Sequence, residues 1–405
     1  MRTKGQVAVI GAGFGGMSAA ILLSRAGFDV DLYERQERIG KKLLLTGNGR
    51  CNLSNEDTGP GHYLCADENM LKTILDNMST GERDDFYHSL GLSTCIMKGG
   101  IYPVSRQASS VLDVFRFTLE ELGVKIILEK KAEEIRCDRR IVFSDGSISR
   151  KPGYDHIIIA CGGKAGVYSE ERENGFGLIK KAGHSINATY PALTFFKCEE
   201  DIKALAGVRC DAALKLKVKD KEYRESGEIQ FTKENLSGIP VFQLSRYVKE
   251  PSKALIYADF LCFLKDPRKE FDERVRCFGE RSLEEFFAGW LNKKLALYLI
   301  KEAGLKADMK VRDCDMSVLY KLSSEHCFKL RERGGYRDAQ LMCGGVPLNE
   351  VNSELMSKKA ENVYLMGELL DVAGECGGYN LHFALSCAFT VYKSLIKKGD
   401  RYVQT

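Results

Sequence analysis

The feature that most constrains this chain is a run of glycines near its start. An apolar segment over residues 7–10 is followed at once by Gly11-Ala12-Gly13-Phe14-Gly15-Gly16, which opens a predicted helix over residues 16–26. Glycines at these spacings permit a tight turn and let the backbone approach a pyrophosphate, while the helix N-terminus supplies N–H donors. A second predicted strand, residues 30–34, ends in Glu34, a carboxylate suited to an adenosine ribose. The sequence therefore predicts a Rossmann-like βαβ unit that binds a dinucleotide.

Three later features favour a flavin as the dinucleotide's reactive half. Residues 157–163 form a predicted strand that ends in small residues, residues 363–368 form another, and Gly377-Gly378 opens the last helix. A glycine pair at a helix start places backbone N–H groups against the pyrimidine edge of a flavin, where reduction adds negative charge. The chain has no second GxGxxG pattern, so a nicotinamide nucleotide is expected to bind only transiently against the flavin.

Composition argues against several other classes of protein. The 405 residues carry 60 basic and 56 acidic side chains, a balance that gives no support for a nucleic-acid partner. The 14 cysteines include no CxxC pair, so we predict no metal site and no disulfide reductase, but reduced thiols in the cytoplasm. No segment approaches the ~20 apolar residues of a membrane span, and the N-terminus lacks a signal-peptide pattern. We therefore expect a cytoplasmic protein with no membrane partner, whose oligomeric state the sequence does not indicate.

The middle of the chain has a different pattern from its two ends. Short segments that alternate at period two predict a β part over residues 191–265, and apolar residues at helical spacing predict a helical part over residues 266–335. The α/β pattern returns near residue 361. We therefore predict an FAD-binding domain from residues 1–190 and 343–405, with an inserted substrate or cap domain over residues 191–342.

A polar loop over residues 46–55 is a further candidate for cofactor binding. Gly47, Asn48, Gly49 and Asn52 suit tight turns and offer amide donors, and Arg50 is placed to balance phosphate or flavin charge. A surface loop held together by its own asparagine side chains explains the same residues equally well.

Several longer stretches carry a family resemblance. They are residues 40–55 (GKKLLLTGNGRCNLSN), 101–105 (IYPVS), 182–184 with 191–193, 231–232 with 235–240, 344–346 and 366–381 (MGELLDVAGECGGYNL). On these residues the chain resembles the BaiN-like, aminoacetone-oxidase-like family of FAD-dependent oxidoreductases, within the glutathione-reductase-like flavoprotein superfamily. The TGNGRCN and GGYNL signatures are specific, and the matches cover the chain except for the helical part of its middle.

The resemblance implies bound FAD, an insertion with a β-barrel-like part and a helical part, and redox chemistry on a small organic substrate. It also favours the flavin interpretation of the loop at residues 46–55. The residues that we predict to contact FAD are Gly11, Ala12, Gly13, Phe14, Gly15, Gly16, Glu34, Arg35, Lys41, Lys42, Gly47, Asn48, Gly49, Arg50, Cys51, Asn52, Ala132, Ala160, Cys161, Gly162, Gly163, Gly367, Glu368, Gly377, Gly378, Tyr379, Asn380 and Leu381.

Three residues near the glycine pair are candidates for catalysis. His382 lies one helical turn after Gly378, where the family usually has Gln, and as an imidazolium it would stabilise the reduced flavin. As a neutral imidazole it would still donate one hydrogen bond, and the alternative is that His382 only packs beneath the flavin. Tyr379 is a candidate proton donor, and Cys376 borders the proposed flavin edge. Cys376 has no second cysteine nearby, so packing explains it better than redox chemistry.

Other polar residues carry weaker expectations. Tyr102 is a further candidate proton donor. Asp371 and Glu375 are the acidic residues nearest to the proposed flavin site, and they either hold a cationic substrate or are solvated loop charges. His184 is more simply explained as a structural histidine.

The leading function is reduction of a conjugated C=C bond in a bile-acid or steroid-like enone, with NAD(P)H as the transient electron donor. The resemblance also includes oxidases of a small amine, aminoacetone; the abundance of cysteine favours the reductase because an oxidase makes peroxide. An RNA-modifying flavoprotein would use a basic surface such as Lys215, Lys217, Lys219 and Lys221, predicted on one side of a strand. A flavin-binding protein without turnover is the remaining alternative.

Overall fold

The computed structural model describes residues 3–166 and 175–402. The contacts divide the chain into two compact units, Met1–Tyr190 with Leu341–Thr405, and Pro191–Gln340. We call the first the Rossmann unit and the second the insertion.

The strands of the described residues are short, and most belong to one of two sheets. In chain order they are β1 Gln6–Ile10, β2 Asp29–Tyr33, β3 Ser54–Asn55, β4 Tyr63–Leu64, β5 Thr94–Met97, β6 Gly100–Pro103, β7 Lys125–Ile127, β8 Ala132–Ile135, β9 Ile141–Phe143, β10 His156–Ile159, β11 Tyr190–Ala192, β12 Phe196–Cys198, β13 Arg209–Val218, β14 Lys221–Phe231, β15 Asn235–Gly238, β16 Ala254–Asp259, β17 His326–Arg333, β18 Leu341–Cys343, β19 Val363–Leu365 and β20 Ala373–Gly374.

The helices range from one turn to more than six. They are α1 Phe14–Arg25, α2 Glu68–Asp76, α3 Thr80–Ser89, α4 Ala108–Glu121, α5 Phe176–Lys181, α6 Ile239–Ser245, α7 Pro267–Cys277, α8 Leu283–Phe287, α9 Lys293–Glu302, α10 Met316–Ser324 and α11 Tyr379–Tyr402. Within the described part of the chain, none of them combines the length and the apolar character that crossing a membrane requires.

A parallel sheet forms the centre of the Rossmann unit. Its strand order is β19-β10-β1-β2-β7, and every neighbouring pair is parallel. The side chains of β1 and β10 are almost completely buried, as the continuous apolar runs of their sequences predict. Because the strands are parallel, the segments that follow β1, β2, β10 and β19 all leave the same edge of the sheet. This edge therefore gathers residues 11–16, Glu34, residues 160–163 and residues 366–368.

The insertion contains a closed antiparallel barrel with the order β12-β15-β14-β13-β16-β17. Its core is apolar and includes Phe196, Leu214, Phe231, Ile256 and Phe328. The predicted Rossmann-like fold with a β-barrel-like insertion is thereby confirmed.

The predicted limit of the helical part of the insertion is wrong. The interval 266–335 contains β17, which pairs with β12 and β16 and closes the barrel. His326, Phe328 and Leu330 are buried while the residues between them are more exposed, a period-two pattern that the helical interpretation overlooked. Helices α7 to α10 end at Ser324 and enclose a separate apolar core. The predicted β part, in turn, contains a helix, α6.

The basic run of the insertion does not lie on one strand face as predicted. Lys215 and Lys217 belong to β13, Lys219 lies in the turn with φ 52°, and Lys221 begins β14. The chain reverses direction at this turn, which separates the four side chains between two strands. Lys215 is also paired, because it donates to a Glu325 oxygen 2.8 Å away.

Candidate functional site

The turn after β1 is shaped by glycines that have two different roles. A Cβ on Gly16 would lie 1.9 Å from the carbonyl oxygen of Gly11, and a Cβ on Gly11 would lie 2.6 Å from that of Ala160. These two glycines let helix α1 approach the strands closely. Gly13 is different, since a Cβ there would meet no atom within 4 Å. The protein's own packing therefore does not require glycine at residue 13.

Glu34 links this turn to the neighbouring segments of the sheet edge. One of its carboxylate oxygens accepts from the backbone N–H of Ala12 at 2.9 Å, and the other accepts from that of Gln36 at 3.0 Å. The backbone carbonyl of Glu34 accepts from the N–H of Lys130, two residues before Ala132 at the start of β8. The structure thus brings the turn, Glu34 and the Ala132 region together, and carboxylate lone pairs remain for a ribose hydroxyl.

The basic residues after β2 are held by carboxylates and amides of the chain. Lys42 pairs with Glu368 at 2.5 Å, joining the segments that follow β2 and β19. Lys41 donates to Glu37 at 2.7 Å and to the Gln36 side chain at 2.8 Å. These partners already balance part of the charge of both lysines, whose contact with FAD stays a prediction.

Glu368 and the small-residue turn after β10 pack together. A Cβ on Gly163 would lie 2.7 Å from a Glu368 carboxylate oxygen, so the Glu368 side chain packs directly against the backbone of Gly163. Gly162 has φ +69°, and a Cβ added there would meet no described atom within 4 Å, as at Gly13. Glu368 also accepts from the N–H of Met342. The predicted turn after Ala160 and the Gly367-Glu368 pair therefore form one cluster.

The TGNGRCN loop interlocks with the start of α11. Gly47, Asn48 and Cys51 have φ values of 56°, 53° and 59°, the left-handed conformations that a tight loop needs. A Cβ on Gly378 would lie 2.4 Å from the carbonyl oxygen of Ser54 and 2.7 Å from the side-chain oxygen of Asn52. The Asn52 oxygen is buried and has no hydrogen-bond partner among the residues that the structure describes. Residues more than 300 positions apart in sequence thus meet at the glycine pair.

The cysteines of this region are thiols rather than thiolates. Burial raises the pKa of Cys51 to about 11 and that of Cys161 to about 12. A protonated thiol is a poor nucleophile, so both residues act through packing. Cys376 is partly buried beside the glycine pair and has a contact within the chain.

His382 is buried at the start of α11, with only 3% of its surface exposed. Its Nδ1 lies 2.9 Å from the hydroxyl of Ser54. Burial, together with the charge of Arg83, lowers the pKa of His382 to about 4. Of the two protonation states considered for His382, the structure therefore favours the neutral imidazole at neutral pH, because desolvation disfavours the charged form.

Tyr379 is a packing residue at the same helix start. It is 6% exposed, and its ring stacks on that of His62 with a centroid distance of 4.5 Å. Burial, with Glu375 nearby, raises the pKa of Tyr379 to about 12. Its backbone carbonyl accepts from the hydroxyl of Tyr63. A buried, weakly acidic phenol does not support the predicted proton-donor role.

His62 belongs to this region and was not singled out from the sequence. Its Nδ1 lies 2.9 Å from Glu375 and its Nε2 lies 3.0 Å from Asp57. Burial alone would lower its pKa, but the hydrogen bonds to Asp57 and Glu375 raise it. The Gly59-Pro60-Gly61 turn was the available signal, because it orients the following residue.

Asn380 and Asp371 have local structural partners. The Asn380 side chain accepts from the N–H of Gly374 at 2.9 Å and donates to its carbonyl at 3.2 Å, which fixes the loop before the glycine pair. Asp371 accepts from the Asn187 side chain at 2.7 Å. Leu381 follows Asn380 in the first turn of α11 and is partly buried.

His184 and Tyr102 differ in their surroundings. The ring nitrogens of His184 lie 2.6 Å from Glu350 and 2.7 Å from Ser357, and the residue is buried, as expected for a structural histidine. Tyr102 is partly buried, and burial raises its pKa despite the opposing charge of Arg50.

These features fit FAD as the ligand of the Rossmann unit. Gly13, Gly49 and Gly162 present backbone to open space, as a cradle for a phosphate-bearing molecule requires. The unpartnered Asn52 oxygen beside Gly378 suits the pyrimidine edge of a flavin, which carries donors and acceptors. The helix starts of α1 and α11 would supply N–H groups to the pyrophosphate and to the reduced flavin of such a ligand.

The chain is similar to known proteins over most of its length. A family model described as the HI0933-like protein Rossmann domain matches residues 5–393. A 3-dehydro-bile acid Δ(4,6)-reductase from Clostridium scindens is 34% identical over 400 residues, covering 95% of this chain and 97% of the relative. A ribosomal RNA dihydrouridine synthase from Escherichia coli is 26% identical over 400 residues, covering 96% and 97% of the two chains.

A solved structure has the same fold. It is a 3-ketosteroid-Δ4-(5α)-dehydrogenase from Rhodococcus jostii in complex with 4-androstene-3,17-dione, with 14% identity, a TM-score of 0.50 and 98% of each chain covered. At this identity the likeness establishes the fold alone.

Proposed function

We propose a function for this chain, which belongs to the HI0933-like family. It is a FAD-dependent reductase that takes electrons from NAD(P)H. Its substrate is a steroid-like enone, in which it reduces a C=C bond conjugated to a carbonyl group. The similarity to the bile acid reductase spans nearly all of both chains and supports this substrate class. The observation that carries the dinucleotide assignment is the open backbone at Gly13, next to a helix N-terminus and the Glu34 carboxylate. The buried Asn52 oxygen beside Gly378 supports a flavin as the reactive half of that dinucleotide.

FAD supplies the hydride chemistry when it is bound, and the chain binds and orients it. The N–H groups at the start of α1 bind the pyrophosphate, and Gly13 leaves the space for it. Glu34, fixed by Ala12 and Gln36, orients the adenosine ribose. These contacts select a dinucleotide over a mononucleotide, because they lie at the adenosine half of the ligand.

The start of α11 acts at the other end of the ligand. Its 24 residues align their peptide dipoles toward Gly377 and Gly378, so the N-terminus carries a partial positive charge. Backbone N–H groups at this point stabilise negative charge that develops on reduction. We assign no proton transfer to His382, since it is buried and uncharged at neutral pH. We assign none to Tyr379 either, since its ring is buried against His62 and its phenol is a weaker acid than usual.

Anaerobic reduction followed by a reoxidant screen tests this function. The FAD-loaded protein is reduced with NADH or NADPH and mixed with a 3-keto-4-ene steroid, and flavin absorbance is followed. We expect rapid reoxidation and formation of the saturated ketone, and no reaction with the saturated steroid as control. Reoxidation by oxygen plus aminoacetone turnover, without enone reduction, would contradict the proposal and favour an amine oxidase.

A second candidate substrate is uridine in ribosomal RNA, because dihydrouridine synthases are among the relatives. Uracil also contains a C=C bond conjugated to a carbonyl, so the same chemistry applies to it. The pairing of Lys215 with a carboxylate and the balanced net charge give RNA less support. Unmodified ribosomal RNA is therefore included as a substrate in the same screen. If dihydrouridine forms faster than the saturated steroid, uridine in ribosomal RNA becomes the favoured substrate.

We further propose that the insertion sets substrate choice. The Rossmann unit supplies the contacts proposed for FAD, so differences in substrate among relatives are expected to map to the other unit. Exchanging Pro191–Gln340 for the corresponding segment of the bile acid reductase should transfer its specificity. Specificity that stays with the Rossmann unit would contradict this assignment, and FAD content serves as the control for folding.

A further inference from the structure

A buried arginine lies behind the glycine pair. Arg83 is on α3 and only 5% of its surface is exposed. One of its terminal nitrogens donates to the hydroxyl of Ser54 and to the backbone carbonyl of Asn55, both at 3.3 Å. Burial of a guanidinium is costly unless its donors are satisfied, so a buried arginine with these contacts requires an explanation.

The contacts of Arg83 lead directly to the start of α11. The Ser54 hydroxyl also lies 2.9 Å from Nδ1 of His382. The Asn55 side chain donates to the carbonyl of Gly377 at 3.1 Å. Arg83 therefore holds strand β3, and β3 in turn holds both Gly377 and His382.

The charge of Arg83 is poorly neutralised by its surroundings. Its Nε pairs with Asp84 at 2.8 Å, but the side chain of Asp84 is 55% exposed and water screens its charge. Tyr87 on the same helix and Cys51 on the adjacent loop have pKa values raised by burial, so both are uncharged. His382 is uncharged as well, so the charges of this cluster are the buried guanidinium of Arg83 and the exposed carboxylate of Asp84.

We propose that Arg83 is a positioning residue that places a permanent positive charge behind the glycine pair and favours the reduced, anionic flavin there. The inference rests on the proposed binding of FAD. It assigns to Arg83 the role that the sequence suggested for His382. Because a guanidinium stays protonated throughout the range in which proteins fold, this effect does not depend on pH.

The test is the two-electron midpoint potential of the FAD-loaded protein from pH 6 to pH 9. Arg83→Gln removes the charge and should weaken binding of reduced relative to oxidised FAD by about tenfold. That change equals a fall of about 30 mV for a two-electron couple. The fall should be the same at every pH, and Arg83→Lys should restore most of it. A potential equal to that of the parent in folded Arg83→Gln would overturn the inference.

Two further variants separate the charge from the fold. Asp84→Asn removes the exposed counter-charge without disturbing a buried group, so it should raise the potential at low ionic strength by a smaller amount than Arg83→Gln lowers it. This variant decides the question if Arg83→Gln does not fold, and an unchanged potential would then count against the inference. His382→Gln should leave the potential unchanged between pH 6 and pH 9.

Failure of the inference can be told apart from failure of the proposed function. If the parent protein binds no FAD on reconstitution, the proposed function is contradicted before any potential is measured. If the parent binds FAD but the variants have the same potential as the parent, only the proposed role of Arg83 is contradicted.

Discussion

Two glycine turns precede helices in the Rossmann unit, one before α1 and one before α11. The first turn has open surroundings and the second is closely packed. A Cβ on Gly13 would meet nothing within 4 Å, whereas a Cβ on Gly378 would lie 2.4 Å from the carbonyl oxygen of Ser54. Gly13 has φ −77°, which any residue adopts, and Gly378 has φ +94°, which strongly favours glycine. The first glycine leaves room for a ligand, and the second is required by the protein itself.

This difference separates two kinds of effect that are usually mixed in a cofactor site. Substitution at the first turn acts on ligand affinity, because the folded chain tolerates a side chain there. Substitution at the second turn acts on folding first and on the cofactor only through the fold. The two turns therefore allow binding and stability to be tested independently within one unit.

The largest effect is expected for Gly378→Ala. The methyl group would collide with Ser54 and Asn52, and the backbone would adopt an unfavourable conformation for alanine. We expect a loss of about 3–4 kcal/mol in the free energy of unfolding, measured by urea denaturation without FAD. The matched control is Gly123→Ala, with φ +68° and open surroundings, which should cost only about 1 kcal/mol. Equal costs for the two variants would show that the second turn is not crowded.

Gly13→Val should leave the fold intact and abolish tight FAD binding. The branched side chain fits the extended backbone of Gly13 and projects into the space proposed for the pyrophosphate. We expect FAD affinity to fall at least about 100-fold, about 2.7 kcal/mol, with an unchanged urea midpoint in the absence of FAD. Gly13→Ala should give an intermediate affinity. Full FAD occupancy in the valine variant would show that the first turn does not bind the pyrophosphate.

His382 should make the second turn sensitive to acid. Its folded pKa, about 4, lies below the unfolded value of 6.5, so the unfolded chain binds more protons between these values. Its contribution to stability is complete above pH 6.5 and is lost as the pH falls toward 4. At pH 5 the loss is about 2 kcal/mol.

Urea denaturation from pH 4.5 to pH 7.5 measures this effect. In His382→Gln the stability should fall less steeply on acidification than in the parent. His156, in the same unit, is also buried with a pKa lowered to about 4, so His156→Gln is the matched comparison. Identical slopes for the parent and His382→Gln would mean that His382 is charged in the folded protein.

Asn52 should give the smallest effect, and only in the presence of the ligand. Its side-chain oxygen has no hydrogen-bond partner in the described part of the chain, so Asn52→Ala should change the stability of the FAD-free chain little. FAD affinity should fall about tenfold, since a hydrogen bond to the ligand is lost. Asn55→Ala is the contrast, because Asn55 donates to the carbonyl of Gly377 and its loss should destabilise the FAD-free chain. A destabilised Asn52→Ala would place Asn52 with the structural residues.

Local sequence patterns correctly predicted the parts of the fold that depend on residues close together in the sequence. The GxGxxG turn, the apolar run of β1 and the glycine pair before α11 each specify a structure within a few residues. The family resemblance, the fold class and the class of flavin-dependent oxidoreductase are confirmed.

The sequence-based predictions were wrong or incomplete where the structure depends on residues that are far apart in the sequence. Strand β17 closes a barrel with strands more than 60 residues away, and nothing within its own segment shows that closure. The role of His62 depends on Glu375, 313 positions later. The charge state of His382 depends on burial and on Arg83, neither of which a helix pattern reveals.

The proposed cofactor site is tested most directly by a calorimetric titration of the cofactor-free protein with FAD, FMN and ADP. We place the pyrophosphate at Gly13 and the ribose at Glu34, so binding should depend on the adenosine half of the ligand. We expect tight binding of FAD, measurable binding of ADP in competition with FAD, and no binding of FMN. The Gly13→Val variant should lose both FAD and ADP. Binding of FMN as tight as that of FAD, or binding of FAD unaffected by ADP, would contradict the central claim.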